Sequence, residues 1–182
     1  PHGYKNHDLA RCETELETAL YQLGMLYLRK GQHDPADERL QWAYGRARHF
    51  FNGDLRVWSL LGLARLGLSR GRVEEARRYL EQAALDAEGM RDPALTAIAL
   101  LERARLFNAE ASSEKALESV EKALEVEAQA TPELRANLPM ELSRALILLE
   151  KGCALHRAGR PQEAVATYAE ALRAADEARD PN

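Results

Sequence analysis

Two stretches of this sequence decide its fold: Gly31-Gln32-His33-Asp34-Pro35-Ala36-Asp37-Glu38-Arg39-Leu40-Gln41-Trp42-Ala43 and Gly71-Arg72-Val73-Glu74-Glu75-Ala76-Arg77-Arg78-Tyr79-Leu80-Glu81-Gln82-Ala83. The glycine, both alanines and the leucine coincide at an offset of 40. The frame returns from Ala111 to Ala123, anchored by Ala116, Val120 and Ala123, and from Gly159 to Ala171, anchored by Gly159, Ala164, Tyr168 and Ala171. Its starts at 31, 71, 111 and 159 are 40, 40 and 48 residues apart. A period of that size marks stacked supersecondary units. Ala36, Leu40 and Ala43 follow the i, i+4, i+7 spacing of one helix face, with small residues where two helices must come close. Upstream of each turn runs another apolar-periodic helix, whose small residue also keeps its offset: Gly24, Ala64, Ala104 and Gly152. Each repeat is therefore a helix pair.

The small-large-small pattern resembles the tetratricopeptide repeat, through Leu23-Gly24, Tyr27, Ala36, Leu40 and Ala43 in the first copy and Leu63-Ala64, Ala76, Leu80 and Ala83 in the second. Gly67 stands where that family usually has an aromatic, and Arg103 and Lys151 where it usually has a leucine. The resemblance implies an all-α, right-handed α-solenoid of about four antiparallel helix pairs. It covers a single domain over 12–178, with repeats at approximately 17–52, 57–91, 93–130 and 140–178 behind an N-terminal extension, 1–11.

The period exceeds the family's usual length, and helix-start signals locate the excess. Asp92-Pro93 and Thr131-Pro132 each place a capping side chain before a proline at the first helical position. Second helices are expected to be about a turn longer than the family norm, with an irregular stretch around Gln129 to Pro139 absorbing the wider last spacing. Repeats of this length resemble those of kinesin light chains, bacterial peptide-pheromone sensors and the sensor regions of large ATP-dependent transcription activators. Asp180-Pro181 repeats the helix-start signal, so the array is expected to continue beyond Asn182.

Composition narrows the function. The 182 residues are 46% hydrophobic, enough for one well-buried body, and Leu, Ala, Glu and Arg dominate, which favours helices over strands. A net charge of −4 removes the non-specific attraction to phosphate backbones, so direct nucleic-acid binding is not expected. No apolar run reaches the length of a membrane span, and no membrane partner is expected. Cys12 and Cys153 lie far apart and belong to no C-x-x-C pair. Two free thiols fit a reducing cytoplasm, and the preference for Arg over Lys suggests a GC-rich bacterial genome.

No constellation supports catalysis, a metal or a cofactor. Gly62-Leu63-Ala64-Arg65-Leu66-Gly67 sits inside a helix with no preceding strand and does not read as a phosphate loop. His33 with Asp34 and Asp37 could suggest a metal cluster, but Asp34-Pro35 reads as a helix cap. Cys153 and His156 share a helix face without an acidic orienting partner. Charge runs such as Glu74-Glu75 with Arg77-Arg78, and Glu118 with Lys122, have the spacing of solvated helix pairs.

Function is therefore expected in a concave groove lined by first helices. By resemblance to the family, its inward positions are Thr18, Tyr21, Met25, Leu28 and Arg29, then Trp58, Leu61, Arg65 and Leu68. They continue as Ile98, Leu101, Arg105 and Asn108, then Leu149, Cys153, His156 and Arg157. Arg65 and Arg105, flanked by Arg29 and Arg157, form either a cationic ridge suited to carboxylates or the arginine halves of pairs with residues such as Glu102 and Glu150. The apolar members suit an amphipathic helix of a partner, another part of the same protein or a second copy of the chain. The expectation is a non-enzymatic module that binds a peptide or helix, with an effector-sensing or oligomerisation domain of a larger bacterial transcription or signalling regulator as the alternative.

Overall fold

In a computed structural model the backbone is described over residues 3–129 and 143–179, with side chains from 13 to 129 and from 143 to 177. The irregular stretch expected after Gln129, the helix start at Thr131-Pro132 and the continuation signal at Asp180-Pro181 lie outside the described residues. Eight helices and no strand are found among the described residues: α1 (Gly3–Arg29), α2 (His33–His49), α3 (Gly53–Ser69), α4 (Val73–Met90), α5 (Pro93–Ala109), α6 (Ser113–Gln129), α7 (Arg144–Arg157) and α8 (Pro161–Arg179). They fall into two compact units, residues 1–90 and 91–182, where the sequence reading has one body over 12–178. In the first unit α1 packs on α2, α3 on α4, and α3 also on α1 and α2. In the second, α5 packs on α6, α7 on α8, and α7 also on α5 and α6.

The turn inside each pair is one motif used four times. Gly31, Gly71 and Gly159 have φ of 70, 70 and 74°, and Ala111 takes the same left-handed place with φ 57°. The following amide closes the helix by a six-to-one bond: Gln32 N–H to the Tyr27 carbonyl (2.9 Å), Arg72 to Gly67 (2.8 Å), Ser112 to Phe107 (2.8 Å) and Arg160 to Leu155 (2.9 Å). Left-handed backbone favours glycine because it has no Cβ to clash, so Ala111 carries a local cost the other three copies avoid.

Three helix starts carry side-chain caps. The Asp92 carboxylate accepts from the Ala94 and Leu95 amides at 2.8 and 3.1 Å, ahead of Pro93 at the first helical position. Asn52 caps α3 through the Leu55 amide and Ser143 caps α7 through the Leu146 amide. Asp34 departs from its expected role. Helix α2 already begins at His33, Gln32 is its N-cap residue without a side-chain cap bond, and the Asp34 carboxylate instead meets the Arg70 guanidinium at 2.6 Å. Asp37 takes the other arm of Arg70 at 2.5 Å, so both acids of the imagined metal cluster tie α2 to the end of α3.

The small residues act as read. A Cβ on Gly24 would stand 2.8 Å from Leu40 Cγ, and one on Gly152 would enter the Tyr168 ring. Gly67, the departure from the family's aromatic, sits 3.2 Å from Ala76 by the same measure, so there α3 and α4 approach at backbone range. Leu40, wholly buried, joins Met25, Ala36, Leu63 and Leu66 in the core of the first unit. Ala116, Leu117, Ala154, Leu155 and Ala164 form a corresponding core in the second.

Candidate interaction surface

The first unit contains nine of the expected groove residues, and its helices sort them by depth. Thr18 is half-buried, its hydroxyl donating to the Thr14 carbonyl at 2.9 Å. Met25 and Leu61 are buried, and the Met25 thioether belongs to the core around Leu40. Tyr21 and Leu28 are half-buried against that core. Trp58 and Leu68 on α3 are also half-buried, and the Tyr21 and Trp58 rings meet in a tilted pair with centroids 6.2 Å apart. Arg65 is half-buried and engaged, whereas Arg29, at the end of α1, is exposed. What stays partly open on α1 and α3 is the Tyr21–Trp58 ring pair, with Leu28 and Leu68 half-buried on the same helices.

The second unit differs from expectation. Ile98 and Leu101 are wholly buried and form no wall. α5 buries Leu95, Ala97, Ile98, Ala99, Leu101, Ala104 and Leu106, and a helix apolar around most of its circumference is packed on several sides. The sequence shows the same breadth, and the repeat register alone does not say which side is wall and which is core. Arg105 is a pair partner and not part of an open ridge. Its Nη1 meets Glu102 Oε1 at 2.5 Å and its Nε meets Glu150 Oε1 at 2.8 Å, so two carboxylates surround one guanidinium. Asn108, buried, reaches the Glu150 side chain and carbonyl at 3.4 Å, and the Arg157 guanidinium donates to the Asn108 carbonyl. This network ties α5 to α7. Leu149, His156 and Arg157 are exposed on α7, with Cys153 half-buried beside them.

Cys153 has a specific neighbour. The Tyr168 hydroxyl donates to its sulfur at 3.6 Å, and burial together with that bond pushes the phenol up to about 12. No group of three or more His, Cys, Asp or Glu side chains is placed to hold a metal among the described residues. Two clefts among the described residues are lined by charged side chains. One of about 170 Å³ lies among Arg144, Leu148, Glu170 and Arg173, and one of about 370 Å³ among Lys115, Glu118, Glu121 and Arg160.

Sequence reasoning missed two polar features. Glu17 is buried and accepts from Asn52 Nδ2 at 3.1 Å, and Arg70 clamps Asp34 and Asp37. Neither follows from a local spacing, because the partners lie 33 to 36 residues apart. Only the repeat frame, which sets α3 against α1 and α2, could have suggested them.

Helix pairs with repeated turns and exposed helix faces define a helical-repeat scaffold. Tetratricopeptide-repeat models match residues 15–84 and 147–181, and the chain belongs to the tetratricopeptide-repeat family, whose members act as protein–protein interaction scaffolds. Among solved structures it is similar to BtubC (BKLC) from P. vanneervenii, at 20% identity and a TM-score of 0.70, covering 93% of this chain and 68% of that one. It is also similar to a Podosopora anserina protein described as a kinesin light chain with nearly identical TPR-like repeats. That match has 25% identity and a TM-score of 0.66, and covers 89% of this chain and 75% of the other. No curated protein matches the chain. No helix among the described residues is long and apolar enough to cross a membrane.

Proposed function

We propose that this chain is a non-catalytic, cytoplasmic interaction module that takes an acidic, amphipathic peptide or helix on the inner face of α1 and α3. The observation that carries the reading is the Tyr21–Trp58 pair, two half-buried aromatics 6.2 Å apart with Leu28 and Leu68 on the same helices. Aromatic side chains that keep one face open supply most of the energy of peptide recognition, and arginines at the margin favour carboxylate-bearing partners. In the second unit Ile98 and Leu101 are core and Arg105 is neutralised, so none of the three is offered to a ligand. The contribution of charge is therefore centred on Arg29, exposed at the end of α1.

The test is selection from a random peptide library on the whole chain and on Trp58→Ala in parallel. The reading expects acidic amphipathic sequences to be enriched on the wild type, with at least tenfold weaker binding to Trp58→Ala and a clear loss on Arg29→Ala. Undiminished binding by Trp58→Ala, or selection of basic peptides, sinks it. The alternative, an oligomerising or effector-sensing segment of a larger bacterial regulator, draws support only for its oligomerisation half, from a different surface.

A further inference from the structure

Helix α1 has two faces, and the core uses one. Glu17, Leu20, Gly24 and Met25 are buried against the rest of the first unit, while Leu16, Ala19, Leu23 and Leu26 point outward. The three leucines are 47, 37 and 39% exposed. Their spacing, three, four, then three residues, is that of the a and d positions of a helix built to pair along its length with another helix. A repeat later, at an offset of 40, the same places hold Arg56, Ser59, Leu63 and Leu66; the last three are 0, 1 and 3% exposed, with α1 and α2 against α3, while Arg56 is half-buried and paired with Asp86. The outward face of α1 is thus a helix-packing face in kind.

We propose that this face pairs with α1 of a second copy of the chain, antiparallel, about a two-fold axis midway between Ala19 and Leu23. That register sets Leu16 against Leu26 of the second copy and Ala19 against Leu23 of the second copy, so every apolar position has an apolar opposite. The flanking charges select the direction. Glu15 and Arg29, both exposed, lie on one flank of the seam at its two ends. Antiparallel pairing brings Glu15 to Arg29 of the second copy at both ends and the two Gln22 side chains together at the centre. Parallel pairing sets Glu15 beside Leu20 and Gln22 beside Tyr27, with no opposite charge. A two-fold arrangement also covers both patches at once, as a closed dimer requires. The leucine seam shares no apolar residue with the Tyr21–Trp58 ledge, and Arg29 is common to both, so Leu23→Glu tests the seam and Trp58→Ala tests the ledge independently.

The experiment uses the full chain. Light scattering after size exclusion, from micromolar to near-millimolar concentration, is expected to show a monomer–dimer equilibrium. Leu23→Glu, at a partly exposed site, is expected to shift it at least tenfold toward monomer with unchanged helical circular dichroism. Direction is read by disulfide trapping in a Cys12→Ser, Cys153→Ser background, mixing one chain carrying Leu16→Cys with a mass-tagged chain carrying Leu26→Cys. Antiparallel pairing yields the mixed 16–26 dimer, whereas parallel pairing yields like-with-like dimers. A monomer at every concentration, a Leu23→Glu variant that dimerises as the wild type does, or like-with-like disulfides would each overturn the proposal. A monomer would leave the face to a helix of another source.

Discussion

At the scale of single residues, the arginine network of the second unit decides what the chain can offer a ligand. Arg105 is hydrogen-bonded to Glu102, which is 1% exposed, and to Glu150. Removing a guanidinium from a buried pair leaves a carboxylate without compensation, and that loss typically exceeds the net worth of the pair. Arg105→Ala should therefore lower stability by about 3 kcal/mol in urea denaturation. Replacing Glu102 and Arg105 together by Leu and Met should recover most of it. Neither change should reduce peptide binding at the Tyr21–Trp58 ledge. Tyr168 carries a second residue-scale prediction. Its folded phenol ionises near 12 because burial and the bond to Cys153 both favour the neutral form, and the unfolded phenol ionises near 10. Stability due to this group is complete below pH 10 and declines as pH rises from 10 to 12, where the unfolded chain gives up the proton first. A pH titration of tyrosinate absorbance on wild type and Tyr168→Phe should differ by one component near 12.

At the scale of elements, the turns report how far backbone geometry was encoded locally. Gly31, Gly71 and Gly159 announce left-handed residues in the sequence, and the structure has them. Phe51 and Arg91 take φ of 56 and 54° in the turns that follow α2 and α4, and nothing in their identity predicts it. Phe51 is also 90% exposed, so no burial offsets the strain. Phe51→Gly should raise stability by roughly 0.5 kcal/mol, the relief of left-handed strain less the added chain entropy. A rise in Tm on differential scanning calorimetry checks it. Asp92 was readable as a cap because a short polar side chain before a proline admits one meaning. Asp34, in the same dipeptide context, was misread because Arg70, 36 residues on, competes for its carboxylate. Local grammar fixes a helix end only where no tertiary partner takes the capping side chain.

At the scale of the whole molecule, the fold was legible and the site only in part, for a common physical reason. A repeat frame is written several times, so small residues such as Gly24 and Gly152 declare the close approaches that define the helix pairs. A binding face is written once, and an inward register does not separate a half-buried residue such as Trp58 from a core residue such as Leu61. What the frame does specify is nearest-neighbour packing, which makes stability a sum of local terms. Gly24 faces Leu40 in the first unit and Gly152 faces Tyr168 in the second, so the two glycines share no partner. Gly152→Ala should cost about 1 to 3 kcal/mol, because the added methyl must displace the Tyr168 ring, and Gly24→Ala should cost a similar amount against Leu40. Urea denaturation of the double variant should give the sum of the two losses to within about 0.5 kcal/mol. A coupling well beyond that margin would mean that packing energy is shared between units, and the nearest-neighbour description of this chain would have to be abandoned.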